Sequence, residues 1–176
     1  MSPATIIDGK AVAADVRADL VGEVAALRER LGRAPGLATV LVGDDGASQI
    51  YVRRKHEACA EVGIESIGHE LGAGTSQREL EALVDRLNAD DAVDGILVQL
   101  PLPGHIDSTR IVNRIDAAKD VDGLTTSSAG LLTQVQPGLV PCTPAGVMEL
   151  LRGHGTELRG AEGARVGRSG LGGRTL

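Results

Sequence analysis

Three short aliphatic runs, Leu37–Val42, Ile64–Leu71 and Val93–Leu100, alternate with stretches whose apolar residues recur every three or four positions. Strand, helix, strand, helix, strand in that order leaves few folds open. Parallel strands cannot be joined by tight turns, so each crossover runs over a sheet face and covers it. The expected fold is α/β: a three-layer α/β/α domain with a parallel sheet between two helical layers. Ahead of the first run, Val12, Val16, Leu20, Val24, Leu27 and Leu31 form one apolar stripe that stops near Gly32 and Pro35. Ala47 to Val62, closed by Gly63, reads as a second helix. Ser76 and Glu79 match a capping box for a third, with Leu80, Leu83, Val84 and Leu87 on its inner side.

The core must be aliphatic, because 42% of the 176 residues are apolar yet there is no Phe, no Trp and a single Tyr. A net charge of −6 argues against a general nucleic-acid binder, which would present a basic face. No apolar run is long enough to cross a membrane. The opening residues, Met1 to Thr5, lack the basic and apolar regions of a signal peptide. Cys59 and Cys142 lie far apart and have no metal-ligand partners at the usual spacings, so no metal site is expected. Two reduced thiols in the cytoplasm are the expectation. His56, His69, His105 and His154 share no spacing, and exposed positions are expected for all four.

In open parallel sheets the ligand crevice lies beyond the carboxyl ends of the strands. Gly43 to Ser48 and Gln99 to Gly104 fall at such ends. The second helix carries Tyr51, the one aromatic ring, four residues before Lys55, so ring and amine share a helix face. That pair reads either as a stacking surface beside a proton-transfer group or as a surface lysine next to a half-buried tyrosine. Gln99 ends an apolar strand, where an unpartnered amide costs about 1 kcal/mol or more. It bonds either to a loop backbone or to the amine of Lys55. Asp120 and Asp122 stand in the turn Lys119 to Gly123, which reads as a ligand contact or as a solvated loop; a metal would want more oxygen ligands nearby. Pro141-Cys142-Thr143-Pro144 reads as the rigid start of a helix, with Thr143 as N-cap, Pro144 at the first helical position, and Val147, Leu150 and Leu151 inward.

Taken in order, six segments resemble the bifunctional methylenetetrahydrofolate dehydrogenase/cyclohydrolase, or FolD, family. They are Val42 to Asp45, Ser48 with Tyr51-Val52 and Lys55, Val62 to Ile64, Gly95 to Pro103, Lys119 to Gly123, and Pro141 to Pro144. The resemblance implies an amino-acid-dehydrogenase-like first domain and two reactions at one cleft. These are NADP-dependent oxidation of 5,10-methylenetetrahydrofolate to the methenyl form and its hydrolysis to 10-formyltetrahydrofolate. It implies Lys55 as general acid/base, Tyr51 stacking on the folate, Gln99 hydrogen-bonding Lys55, and Asp122 holding the pterin edge. Ser48, Leu100 and Pro103 would line the same cleft, and the expected partners are tetrahydrofolate derivatives and a second copy of the chain, as a homodimer.

Departures from the family pattern are also implied. Ser128 stands where an Asn is typical and Leu131 where an Arg is frequent, which is expected to weaken the domain linker or the substrate edge. Gly167-Arg168-Ser169-Gly170 resembles the opening of an NADP-binding loop, which with Cys142 makes Gly167, Arg168 and Ser169 the expected cofactor positions. The segment before it, Ala164 to Val166, is a poor strand, and few residues follow. The expected organisation is a folate-binding catalytic domain over 1–142, a linker helix over 143–157 and the start of a Rossmann domain over 158–176. A chain so organised is expected to lack dehydrogenase turnover of its own. The alternatives are an inactive or folate-binding-only fragment, or a regulatory partner of an intact relative.

Overall fold

The computed structural model describes residues 6–162. Its centre is a parallel sheet of three strands, β1 (Gly36–Val42), β2 (Glu65–Leu71) and β3 (Gly95–Val98), in the order β2-β1-β3. Around it lie α1 (Gly9–Leu31), α2 (Gly46–Val62), α3 (Gln77–Ala89), the short α4 (Ser108–Val112), α5 (Thr126–Thr133) and α6 (Cys142–Gly153). The alternation expected from the sequence is therefore present, with β3 shorter than the apolar run suggested. The chain leaves the strand after Val98, although the Gln99 amide still donates to the Val40 carbonyl at 2.8 Å.

The side chains of β1 divide the core. Ala38, Val40 and Val42 join Leu80, Leu83, Val84 and Leu87 of α3, Ile96 and Val98 of β3, and Ile111 and Ile115 in a closed aliphatic cluster. Each such side chain contributes up to about 1.5–3 kcal/mol by leaving water. α3 is fixed at its start by the capping box: Ser76 N donates to Glu79 Oε2 at 2.8 Å and Glu79 N donates to Ser76 Oγ at 3.3 Å. At its far end Lys119 Nζ donates to the carbonyls of Leu87, Asn88 and Asp90. This places a cation where the helix dipole is negative.

The opposite face of β1 meets α2 through Val52, Cys59 and Val62. Here a buried Thr39 Oγ1 lies 2.6 Å from His56 Nε2, so His56 is half-buried rather than exposed, as is His69. A histidine on a helix that faces the sheet is partly covered by it. α1 also differs from expectation. Of its apolar stripe only Val24 is buried, while Val16 is 37% exposed and Leu31 is exposed as well. α1 packs on α2 and α6.

Candidate active site

α2 begins where β1 ends. Asp45 caps it, with Oδ2 accepting from Ser48 N at 2.8 Å, and this bond holds the Asp45 carboxyl below the usual carboxylate range. From that start Lys55 is carried about two and a half turns along the helix, and the Thr39–His56 bond fixes the helix on the sheet one residue later. Lys55 Nζ donates to Gln99 Oε1 at 3.1 Å. The other end of the amide is also used, since Gln99 Nε2 donates to the Leu100 carbonyl at 2.7 Å. Both partners considered for Gln99 are thus present at once, and the second settles which way the amide faces. Its oxygen is presented to the lysine.

Lys55 and Gln99 line a cavity of about 200 Å³ with Val98, Leu100, Asp122, Leu124, Pro141, Cys142 and Thr143. Asp122 reaches it because the following turn is unusually tight. Gly123 has φ +62°, and a Cβ there would lie 2.6 Å from the Val140 carbonyl carbon. Only glycine lets residues 139–141 come so close, and that approach delivers Pro141 and Cys142 to the cavity. A second close approach, at Gly95, seats Val121 against β3: a Cβ there would meet Val121 Cγ1 at 2.4 Å.

Burial pushes the Asp122 carboxyl above the usual carboxylate range, and the Lys55 ammonium pulls it partway back. Cys142 is exposed as a residue, yet its Sγ turns inward, 3.5 Å from the Val121 carbonyl. Burial of that sulfur, reinforced by the Asp122 charge, pushes the thiol up. The arrangement is an amine oriented by an amide, facing a carboxyl of raised proton affinity in a small half-dry cavity. It suits proton transfer to a bound organic molecule. Among the described residues no three His, Cys, Asp or Glu side chains stand close enough to hold a metal ion, and no helix is long and apolar enough to cross a membrane.

The structure brings Lys55, Gln99, Leu100, Asp122 and Cys142 together. It does not bring Ser48, Tyr51 and Pro103 into that lining. Ser48 is buried at the start of α2, Tyr51 is 57% exposed one turn before Lys55, and Pro103 sits near Gly43. Gly167, Arg168 and Ser169 lie outside the described residues. Leu124 and Thr143 were missed as lining residues, and Thr143 is not the N-cap of α6. Pro141 takes that position, and Pro144 falls within the first turn, where its missing N–H costs no helix bond. Ser128, expected to weaken this edge, instead ties it: buried, it donates to Asp120 Oδ2 at 2.7 Å. A larger apolar cavity, about 330 Å³, adjoins through Leu100, Leu124 and Pro141; its lining contains no titratable group, so the chemistry belongs to the smaller one.

Fold and cleft together define a parallel α/β domain with a small cavity, lined by Lys55, Gln99 and Asp122, at the carboxyl edge of its sheet. The sequence pattern of the family described as "Tetrahydrofolate dehydrogenase/cyclohydrolase, catalytic domain" matches residues 7–122, and the chain belongs to that family. It is 54% identical over 176 residues to bifunctional protein FolD 3 of Rhizorhabdus wittichii, and 56% identical over 173 residues to bifunctional protein FolD 2 of Frankia alni. Those alignments take in 100% and 98% of this chain but 58% and 60% of the relatives, so the chain spans somewhat under two thirds of their length. Its structure is similar to that of the FolD methylenetetrahydrofolate dehydrogenase/cyclohydrolase from Campylobacter jejuni, with a TM-score of 0.93 and 43% identity over 97% of this chain and 61% of that one. It is also similar to the Trypanosoma brucei enzyme complexed with NADP cofactor and inhibitor, with a TM-score of 0.84 and 43% identity over 90% of this chain and 54% of that one.

Proposed function

We propose that this cleft binds the methenyl cation of tetrahydrofolate and hydrolyses it, as one half of a bifunctional dehydrogenase/cyclohydrolase. The observation that carries the reading is the Lys55 Nζ to Gln99 Oε1 bond at 3.1 Å in a cavity also lined by Asp122. Water adds to the electron-poor carbon bridging N5 and N10, and Lys55, acting in its free-amine form beside the cationic substrate, takes a proton from it. As the carbon–N5 bond breaks, the hydroxyl proton is transferred through Lys55 to N5. The product is 10-formyltetrahydrofolate, with one proton released overall. Gln99 orients the amine, and the Asp122 carboxyl holds the donor groups of the pterin edge. Leu100 walls the cavity, Tyr51 stacks on the part of the folate that projects from the mouth, and Ser48 and Pro103 line the cleft beyond it.

The companion reaction is oxidation of the 5,10-methylene form to the methenyl cation, for which NADP would serve as hydride acceptor when bound. Of the positions that the resemblance assigns to NADP, three lie outside the described residues and Cys142 offers a single thiol. No cradle for the dinucleotide is defined by that set, and no step above is routed through it. The same reading carries a division at about residue 142 between a folate domain and a cofactor-binding part. It also includes a homodimer working in the cytoplasm, in tetrahydrofolate interconversion and in supply of formyl groups for purine biosynthesis.

The test is hydrolysis of 5,10-methenyltetrahydrofolate by the chain beside Lys55→Met. Loss of positioned proton transfer is expected to lower the rate by about 10²-fold or more. Equal rates, both at the background of free solution, would remove Lys55 from the chemistry.

A further inference from the structure

Asp120 is 1% exposed, an unusual place for a carboxylate unless every lone pair is engaged. Its Oδ2 accepts from Ser128 Oγ at 2.7 Å and from Thr125 N at 2.8 Å, and its Oδ1 accepts from Leu124 N at 3.1 Å. Thr125 Oγ1 donates to Ser128 Oγ at 3.0 Å, which closes the network. The backbone is tied as firmly. Ile96 N donates to the Lys119 carbonyl at 2.8 Å, Asp120 bridges to Ile96 in parallel, and Gly123 N donates to the Asp120 carbonyl at 3.0 Å. One carboxylate therefore pins the strand side, the turn and the first residues of α5. Between those ties Asp122 and Leu124 line the Lys55 cavity, and Asp122 is the polar one of the two.

We infer that Asp120 is a positioning residue: its buried carboxylate, held by Ser128 and the amides of Leu124 and Thr125, fixes the turn that presents Asp122 to the cavity. The inference rests on the reading of that cavity as the reactive site. It differs from an ordinary structural role in acting on the charge of Asp122 as well as on its place. The groups facing Asp122 are Lys55 from α2, Cys142 from α6 and Asp120 from its own turn. Burial drives the Asp120 carboxyl upward, but the Ser128 hydroxyl and the Thr125 and Leu124 amides outweigh it and keep Asp120 below the usual range. An anion so maintained adds to the proton affinity of Asp122.

Asn cannot replace Asp120 without loss, because its NH₂ would face either the Thr125 or the Leu124 N–H, donor against donor. The test follows the titration of the Asp122 carboxyl carbon by NMR in the full chain, in the absence of ligand. Asp120→Asn is expected to move that titration to lower pH. Amide exchange at Leu124 and Thr125 is expected to rise about tenfold or more, since the turn opens locally. Ser128→Ala removes one donor and keeps the carboxylate, so a smaller rise in amide exchange is expected without a lowered Asp122 titration, and it tests the hold on the turn if Asp120→Asn does not fold. Asp94→Asn, which breaks the remote ion pair with Arg33, is expected to lower stability while leaving the Asp122 titration in place. Affinity for 5,10-methenyltetrahydrofolate is expected to fall about tenfold in Asp120→Asn, a size ordinary for loss of one oriented charged contact. An unchanged Asp122 titration in folded Asp120→Asn, unchanged amide exchange at Leu124 and Thr125 in Ser128→Ala, or an equal titration shift in Asp94→Asn, would overturn the inference. Failure of the unaltered chain to bind the methenyl compound would count against the proposed function instead, because the titration needs no ligand.

Discussion

The two faces of the sheet are closed to very different degrees. On one, α3 lays Leu80, Leu83, Val84 and Leu87 into the cluster with β1 and β3, and Leu80 and Val84 are wholly out of water. On the other, α2 covers β1 with Val52, Cys59 and Val62, and α1, packed on α2 and α6, is almost twice as long as α3 yet buries one residue, Val24. Beside it runs a groove of about 570 Å³ between α1 and α6, walled by Val12, Val16, Val147 and Leu150. Cys142 and Thr143 belong both to this groove and to the Lys55 cavity. The groups proposed to react thus sit where a finished core gives way to an open surface. The contrast is physically reasonable: a rigid side is needed to hold Gln99 and Asp122 in register, and an open side is needed for access.

Four substitutions would break or sharpen this contrast. Leu80→Ala, in the closed face, is expected to cost about 2–5 kcal/mol, measured by denaturant unfolding. Gly123→Ala is expected to cost about 1–3 kcal/mol, because the Cβ meets the backbone at Val140 and Pro141 and the conformation is left-handed. It should also loosen the site, seen as faster modification of the Cys142 thiol. Asp122→Asn acts in the opposite direction at neutral pH. A folded-state carboxyl whose pKa is raised contributes stability that is complete below about pH 4 and lost as pH rises through the folded value. The Asn variant is therefore expected to be more stable than the parent near neutrality, with the gain vanishing on acidification, in paired unfolding curves. Val16→Ala, on the open face, is expected to change stability by no more than about 0.5 kcal/mol. A cost for Val16→Ala approaching that of Leu80→Ala would mean the α1 face is closed in solution.

Much of the closed half was legible in the sequence, and for a simple reason. Helical and strand periods report burial by one neighbouring layer, so α3, its capping box and the run of β1 could be read residue by residue. The same logic overstated α1, whose apolar stripe is real but half-covered, because periodicity says which side is apolar and not what lies against it. At the site, the Tyr51 and Lys55 spacing and the awkward amide of Gln99 were visible locally. Their joining was legible only as one of two alternatives: Lys55 and Gln99 are 44 residues apart, and the resemblance favoured the bond between them. Two polar anchors were invisible for the same reason. His56 on Thr39 and Asp120 under Ser128 depend on which elements are packed together, and no local pattern announces either. The N-cap of α6 was misplaced because Thr143 is the better capping side chain, while the approach of residues 139–141 to Gly123 starts the helix earlier.

The most direct test of the central claim, that the folate site is the junction of the closed and open halves, is chemical-shift mapping of 5,10-methenyltetrahydrofolate on the full chain. The account expects the largest changes at Lys55, Gln99, Leu100, Asp122, Leu124 and Cys142, with α3 unmoved. Changes confined to Val12, Val16, Val147 and Leu150 along the α1–α6 groove, or none at all, would contradict it.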